Sequence, residues 1–224
     1  MPEPQVETLA DDGAVARRGA SLIAERARAA VAAGGAFTLA VSGGRTPWVM
    51  FAALAGEDVP WSEVTIYQVD ERIAPDGDPD RNLTHLRESL PRPGLERLTP
   101  MPVNEPDVES AAAAYAEGLP ERLDLVHLGL GDDGHTASLV PGDPVLGVTD
   151  RDVALTGEYM GRRRMTLTYP VLDRAGEILW LVTGAEKVVP LAQLLGHDES
   201  IPAGRVRADQ ALVLADNAAM GEKT

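Results

Sequence analysis

The chain has 224 residues, of which 44% are hydrophobic and 25% charged, and its formal net charge at pH 7 is −15. This length and composition suit one large globular domain over residues 1–224, which can bury a core without disulfides. The lack of cysteine excludes thiolate chemistry. The acidic balance argues against nucleic-acid or anionic-membrane partners, which bind mainly through Lys and Arg. No apolar run approaches the roughly 20 residues of a membrane helix, and no signal peptide is evident.

Six short runs along the chain are rich in apolar and β-branched residues. Several are apolar on both faces, which is typical of strands in a sheet that is covered on both sides. Helical patterns lie between them, so the sequence predicts an α/β fold with a largely parallel sheet. The predicted strands are AFTLAV (36–41), VTIYQV (64–69), LDLVHLGL (123–130), RMTLTY (164–169), EILWLVT (177–183) and ALVLA (211–215).

The helical patterns come with recognisable ends. Thr46 and Asp107 are predicted N-caps, because short polar side chains satisfy free N–H groups at a helix start. A proline, Pro190, is expected to kink or shorten the last helix. The Pro- and Gly-rich stretches 73–80 and 91–106 are predicted to be loops within the domain. The predicted helices are 12–33, 46–55, 107–119 and 184–195.

Four polar segments follow predicted strands. In α/β sheets, ligands bind beyond the carboxyl ends of the strands. We therefore expect these segments, which are rich in glycine or charge, to meet at one edge of the sheet. They are SGGRTP (42–47), DERIAPDGDPDRN (70–82), GDDGHTASL (131–139) and GAEK (184–187).

The first polar segment, SGGRTP, has the features of a phosphate site. Gly43 and Gly44 let the backbone approach a ligand closely. Ser42 and Thr46 add hydroxyl donors, and the helix that follows offers free N–H groups and a positive dipole end. No Gly-Lys-Ser/Thr follows, so the segment is not a Walker A loop. The alternative is a tight strand-to-helix turn without a ligand.

The segment GLGDDG (129–134) matches the dinucleotide pattern G-x-G-x-x-G. However, Asp132 and Asp133 would place carboxylates where a pyrophosphate must approach. A glycine turn with solvated aspartates is a better interpretation. We favour a third, a catalytic turn in which Asp133 orients the imidazole of His135 for proton transfer. The other histidines are predicted to be structural: His85, His127 and His197.

A chain this acidic needs a local group of cations to attract an anionic substrate. Arg72, in the sequence Asp-Glu-Arg (70–72), can hold an anion or polarise a carbonyl, and the alternative is a solvated charge run that balances itself. Lys187 and the arginine run 162–164 are the other candidates. At most one or two of the three arginines can face inward if they join a strand, because alternate residues point to opposite faces.

Five segments, from about residue 35 to 216, resemble the motifs of the 6-phosphogluconolactonases in order and approximate spacing. That family is related to the glucosamine-6-phosphate deaminases and shares their three-layer, Rossmann-like α/β/α fold. The resemblance implies a cytoplasmic enzyme of the oxidative pentose phosphate pathway. It would hydrolyse 6-phosphoglucono-δ-lactone without a metal or organic cofactor. Independently of the resemblance, we expect a monomer, with a weak dimer as the alternative. The segments are VSGGRTP, DERIAPDGDPDRN, LGLGDDGHTASLVPG, RRRMTLTYPVLDRA and GAEK.

Carried over position by position, the resemblance implies roles for individual residues. Asp133 and His135 match the catalytic turn, with His135 as the base that activates water. Arg72 matches an arginine near the lactone. Arg81 stands where the lactonase motif usually has serine, and it either adds a cation to the cleft or faces solvent. The residues that match the phosphate site are Ser42, Gly43, Gly44, Thr46, Arg164 and Lys187.

Two alternative functions remain. The first is an amino-sugar phosphate deaminase or isomerase. That sister family has a glutamate just before the Pro-Gly of the turn and a tyrosine after Asp-Glu, where this chain has Val140 and Arg72. Lactone hydrolysis needs only one activated water and a stabilised oxyanion, which fits the loss of the extra carboxylate. The second is a non-catalytic sugar-phosphate sensor, which the retained Asp133 and His135 argue against.

Overall fold

Residues 4–207 and 210–222 are described by a computed structural model of the protein. Within these residues, short apolar runs form ten β-strands. In chain order they are β1 (Gln5–Leu9), β2 (Phe37–Val41), β3 (Val64–Gln68), β4 (Asp70–Arg72), β5 (Leu98–Thr99), β6 (Leu125–Gly129), β7 (Val153–Leu155), β8 (Arg164–Leu167), β9 (Glu177–Val182) and β10 (Ala211–Asp216).

Seven of these strands form a central parallel sheet in the order β1-β10-β9-β6-β2-β3-β5. The other three form a small antiparallel sheet in the order β4-β8-β7. Because β4 begins two residues after β3 ends, the small sheet starts at the carboxyl edge of the large one. That is the edge at which α/β sheets bind ligands.

Seven α-helices are present in the part of the chain that the structure describes. Most connect one parallel strand to the next, since a parallel pair needs a crossover connection. The helices are α1 (Asp12–Ala32), α2 (Arg45–Ala53), α3 (Asn82–Ser89), α4 (Arg92–Leu95), α5 (Val108–Glu117), α6 (Tyr169–Asp173) and α7 (Val188–Leu195).

Helices cover both faces of the central sheet, which gives three layers. On one face, α1, α2 and α3 pack on alternate strand residues, as Phe51 and Leu39 illustrate. On the other face, α5, α6 and α7 enclose a second core that contains Tyr115, Trp180 and Leu191. Successive residues of a strand point to opposite faces, so each buried strand supplies both cores.

The predicted α/β fold with a largely parallel sheet is confirmed, and all six predicted strands form. One of them, the RMTLTY segment, became β8 of the small antiparallel sheet. Strands β1, β4, β5 and β7 were not predicted, because β4, β5 and β7 have only two or three residues and β1 is interrupted by polar side chains. The stretch 91–106 was wrongly predicted to be loop throughout, since it contains α4 and β5.

The predicted helix ends were partly right. Asp107 caps α5, accepting a hydrogen bond from the N–H of Ser110. Thr46 is not an N-cap: Gly44 holds that position with a φ of 139°, which favours glycine. The last predicted helix is shortened as expected, because α7 starts at Val188 and places Pro190 in its first turn. No helix among the described residues is both long and apolar enough to cross a membrane.

Candidate active site

A cavity of about 420 Å³ opens at the carboxyl edge of the central sheet. All four polar segments predicted to meet contribute to its wall, as Ser42, Arg72, His135 and Lys187 show. The segment 159–164, which leads into β8, contributes as well. The segments converge because parallel strands all end at one edge. This cavity is therefore the candidate active site.

His135 and Asp133 form a pair in the turn after β6. Nδ1 of His135 lies 2.5 Å from Oδ1 of Asp133, and the backbone N–H of His135 donates to the same oxygen at 3.1 Å. A carboxylate only accepts, so Nδ1 carries a proton, and in the neutral ring Nε2 keeps its lone pair. The His135 side chain is 27% exposed and borders the cavity. The ring can therefore accept a proton from a group bound there.

Asp133 is held in its ionised form. Its partial burial raises the pKa of the carboxyl group, but hydrogen bonds outweigh this effect. They come from the backbone and ring of His135 and from the hydroxyl of Tyr159, so the net pKa of Asp133 is lowered. An ionised Asp133 can orient the imidazole and stabilise its protonated form.

The glycines of the GLGDDG segment make room for this pair. A Cβ added at Gly131 would overlap the imidazole ring of His135. Gly134 has a φ of 79°, and a Cβ there would lie 2.5 Å from Cβ of Ile201. The turn therefore needs glycine to seat the histidine, which gives the pattern G-x-G-x-x-G a role without a dinucleotide.

Two buried donors on the cavity wall lack a partner within the part of the chain that the structure describes. Ser42 is 4% exposed and Arg164 is 5% exposed. Neither Oγ of Ser42 nor Nε of Arg164 has a hydrogen-bond partner among the described residues. Buried polar atoms are usually paired with protein, water or a ligand, so both atoms indicate a binding site for a polar group. Burial and the charge of Arg72 lower the pKa of Arg164.

Of the three consecutive arginines, Arg164 faces the cavity. Arg163 is 55% exposed and lies 3.8 Å from Glu109, away from the cavity. Arg162 donates to Asp78 at 3.0 Å, in an adjoining cleft. The expected alternation along a strand therefore separates Arg163 from Arg164.

Arg72 lies beside Arg164 because β4 pairs with β8. The two residues are directly opposite each other in this antiparallel pair. Asn82 accepts a hydrogen bond from Nη1 of Arg72 and donates to the backbone oxygen of Asp70 at 2.9 Å. This anchoring holds one guanidinium group next to another on the cavity wall, where both can face an anion.

The remaining candidates for the phosphate site differ in position. Gly43 and Gly44 line the cavity, as does Lys187, whose ammonium group pairs with Asp132. Thr46 does not line it. The Thr46 hydroxyl lies 2.8 Å from that of Thr183 and borders an adjoining cleft. No side chain caps α2, so its first N–H groups are available to a ligand.

Glu71 and Arg81 lie in the interior. Glu71 is fully buried and accepts hydrogen bonds from the backbone N–H groups of Arg72, Asn82 and Leu83, each at 2.8 Å. Arg81 is 2% exposed, and its Nε lies 3.2 Å from Oε2 of Glu71. Both alternatives for Arg81, a cation in the cleft and a solvent-facing side chain, are therefore wrong. The two side chains form a buried ion pair at the start of α3.

His127 is structural, as predicted, but it touches the segment SGGRTP that follows β2. It is fully buried in β6, and burial lowers its pKa to about 3. The ring is therefore neutral, and Nδ1 accepts the N–H of Ser42 at 3.3 Å. Because Ser42 is the first residue after β2, this bond supports the start of the loop.

Tyr159 is a site residue that the sequence did not indicate. It borders the cavity and contacts Asp133, His135 and Arg164. It lies in a connection without helical or strand periodicity, and no motif marked it. Only the three-dimensional arrangement brings it to the site.

Comparisons with known proteins identify the family of the chain. Residues 10–214 match the family model described as glucosamine-6-phosphate isomerases/6-phosphogluconolactonase. The chain belongs to this family. The match includes β2 and β6 with the glycine-rich segments that follow them, so both of these cavity-lining segments lie inside the region shared with the family.

Individual members of the family agree with the match. A 6-phosphogluconolactonase of Synechocystis sp. is 34% identical over 211 residues, which cover 87% of this chain and 86% of that protein. The crystal structure of a 6-phosphogluconolactonase from Shewanella baltica superposes with a TM-score of 0.86 at 26% identity, covering 96% and 98% of the two chains. A monomeric glucosamine-6-phosphate deaminase, at 17% identity and a TM-score of 0.81 over 98% and 100% of the two chains, shares the fold.

Proposed function

We propose that this protein hydrolyses 6-phosphoglucono-δ-lactone to 6-phosphogluconate, with His135 as general base. This hydrolysis is one step of the oxidative pentose phosphate pathway. The observation that carries the proposal is the His135–Asp133 pair, with a 2.5 Å contact, in a cavity that also holds unpartnered donors of Ser42 and Arg164. The His135–Asp133 pair serves proton transfer, and the donors of Ser42 and Arg164 bind an anion. The relatives that match most of the chain are named for this activity.

The chemical step uses the lone pair on Nε2 of His135. As a water oxygen attacks the lactone carbonyl carbon, Nε2 takes a proton from that water. Asp133 stabilises the imidazolium that forms, because its carboxylate accepts the Nδ1–H. The imidazolium then returns the proton to the ring oxygen as the carbon–oxygen bond breaks. The product acid releases one proton to solvent, so one proton appears for each lactone hydrolysed.

Charge develops on the carbonyl oxygen when the water attacks. Arg72 is the donor we assign to this oxyanion, with the backbone N–H groups of the glycine turn as further donors. Asn82 holds its guanidinium group on the cavity wall, so the donor is placed before the reaction begins. A preorganised donor stabilises the transition state without reorganising during the step.

The phosphate group is the anchor. We assign the phosphate to the loop from Ser42 to Gly44, with Arg164 and Lys187 as the cations. Ser42 Oγ and Arg164 Nε offer donors that no atom of the described residues accepts, and the start of α2 adds uncapped N–H groups. The Lys187 ammonium group would exchange Asp132 for the phosphate. Anchoring the far end fixes the carbonyl against His135.

We expect Lys187→Ala and Arg164→Ala each to raise KM for the lactone about tenfold or more, because a hydrogen bond to a charged group contributes roughly 1.5–3 kcal/mol. Inorganic phosphate should compete with substrate in the parent enzyme. Initial rates are measured as proton release at constant pH, with spontaneous hydrolysis subtracted. Arg163→Ala is the matched control, since Arg163 points away from the cavity, and its KM should be parental. Parental KM values in both test variants would refute the anchor.

The deaminase alternative has a direct test. The purified protein should release no ammonia from glucosamine 6-phosphate, because Val140 replaces the extra carboxylate and is itself buried at 4% exposure. A glucosamine-6-phosphate deaminase serves as positive control in the same ammonia assay. Ammonia release by this chain would favour the deaminase over the lactonase as its function.

The same lactone assay tests the sensor alternative, because a non-catalytic sensor would bind 6-phosphogluconate without accelerating hydrolysis.

Among residues 4–207 and 210–222, no three His, Asp or Glu side chains are grouped as in a metal site. A reaction without metal or organic cofactor, a cytoplasmic location and a monomeric state stay predictions.

A further inference from the structure

Tyr159 is placed by a tight turn between β7 and β8. Its N–H donates to the carbonyl of Arg162 at 3.0 Å, and the N–H of Arg162 donates back at 3.2 Å. The two residues between them, Met160 and Gly161, have φ values of 51° and 76°. Two consecutive positive φ values are typical of a tight two-residue hairpin turn. This local geometry directs the tyrosine into the cavity instead of leaving it on a flexible loop.

One side chain thereby contacts three members of the site. The Tyr159 hydroxyl donates to Oδ2 of Asp133 at 3.0 Å. The ring lies edge-on to the imidazole of His135, with centroids 5.6 Å apart at 64°. Cζ of Arg164 lies 4.9 Å from the centroid of the Tyr159 ring, within the range of a cation–π contact. Tyr159 therefore connects the catalytic turn with the proposed phosphate anchor.

We propose that Tyr159 is a positioning residue for the Asp133–His135 pair, a role that rests on the proposed lactone hydrolysis. The two oxygens of Asp133 have separate partners. Oδ1 accepts from His135, and Oδ2 accepts from Tyr159. A donor on Oδ2 fixes the rotation of the carboxylate, so Oδ1 stays aligned with Nδ1 of His135. The ring then keeps Nε2 directed to the position of the attacking water.

The hydroxyl also sets the electrostatics of the pair. The charged or titratable groups around Asp133 are His135 and Asp132 on its own turn, Tyr159 and Arg164 from the segment leading into β8, and Lys187, which pairs with Asp132. The Tyr159 hydrogen bond stabilises the ionised carboxylate and lowers its pKa. Without this donor the pKa of Asp133 rises and its carboxylate attracts a proton more strongly, so the acid limb of activity should move to higher pH.

The test compares two tyrosine-to-phenylalanine variants. Tyr159→Phe keeps the ring beside Arg164 and removes only the hydroxyl. We expect kcat to fall about tenfold, as for loss of one hydrogen bond to a charged group, with KM near the parental value. The acid limb of the kcat/KM profile should shift upward. Tyr169→Phe is the matched control, because it removes a partly buried tyrosine hydroxyl that donates to the backbone oxygen of Pro202 at 3.0 Å, outside the cavity. It should leave kcat and the pH profile unchanged.

A double-mutant cycle separates positioning from general packing. In an Asp133→Asn background the carboxylate is gone, so adding Tyr159→Phe should change kcat much less than it does in the parent. An equal effect in both backgrounds would show that Tyr159 does not act through Asp133. A parental kcat and acid limb in Tyr159→Phe would overturn the proposal.

An NMR titration makes this result independent of lactonase activity. The ring protons of His135 report the titration of the Asp133–His135 pair in the parent and in Tyr159→Phe. The transition should move to higher pH in the variant, and an unchanged transition would contradict the proposal. A parent protein without lactone hydrolysis would refute the proposed function, while the NMR comparison still decides whether Tyr159 controls the pair.

Discussion

His135→Ala should lower kcat by about 10²–10⁴, the usual contribution of a positioned general base. KM should change little, because the imidazole lies at the opposite end of the substrate from the proposed phosphate anchor. Removal of the ring leaves Asp133 and the oxyanion donors in place, so a residual rate above the spontaneous reaction is expected. The measurement is proton release at constant pH, with a separate blank at every pH because the lactone also hydrolyses unaided.

The control for this variant is His197→Asn. His197 does not border the cavity, and its φ of 51° is one that asparagine tolerates well. The His197→Asn variant should therefore keep the parental kcat. A folded His135→Ala variant with near-parental kcat would contradict the assignment of the base. Asp133, which lies within the same turn, would then become the candidate for direct activation of the water.

Glu71→Gln should destabilise the protein by about 3–5 kcal/mol, the effect of removing one partner from a buried ion pair. The change leaves Arg81 charged and buried at 2% exposure without the carboxylate of Glu71, and the carboxylate of Asp76 that remains nearby is 4.0 Å away and largely exposed. It also replaces one carboxylate oxygen by an amide group that donates, although backbone N–H groups of Arg72, Asn82 and Leu83 point at that carboxylate. Equilibrium unfolding in urea measures the loss of free energy of unfolding. The comparison holds if the slope of this free energy against urea concentration is the same in parent and variant.

A surface ion pair provides the comparison. Glu96→Gln breaks the pair with Arg92 on α4, where Arg92 is 90% exposed. Exposed pairs contribute little to stability, so the urea midpoint should hardly move. A similar small shift for Glu71→Gln would show that the buried pair does not hold β4 to the start of α3. Glu71→Gln is also expected to impair catalysis indirectly, because the backbone N–H groups of Arg72 and Asn82 both donate to the carboxylate of Glu71.

The sequence by itself determined the features that depend on neighbouring residues. Apolar runs such as 36–41 and 177–183 are buried strands because both faces of the sheet are covered, and Asp107 caps its helix through a local side-chain bond. The polar segments after the strands meet because parallel strands end at one edge. The pairing of Asp133 with His135 is local too, since only Gly134 separates them in one turn.

Only the tertiary structure decided the features that depend on distant residues. The pairing of β4 with β8 places Arg72 beside Arg164 and turns Glu71 to the opposite face, where it meets Arg81. No pattern along the chain encodes that register. Tyr159 reaches Asp133 across 26 positions, through a hairpin turn that shows no periodicity. The direction of a side chain in a short strand or turn is set by what packs against it, and here those partners lie far away in sequence.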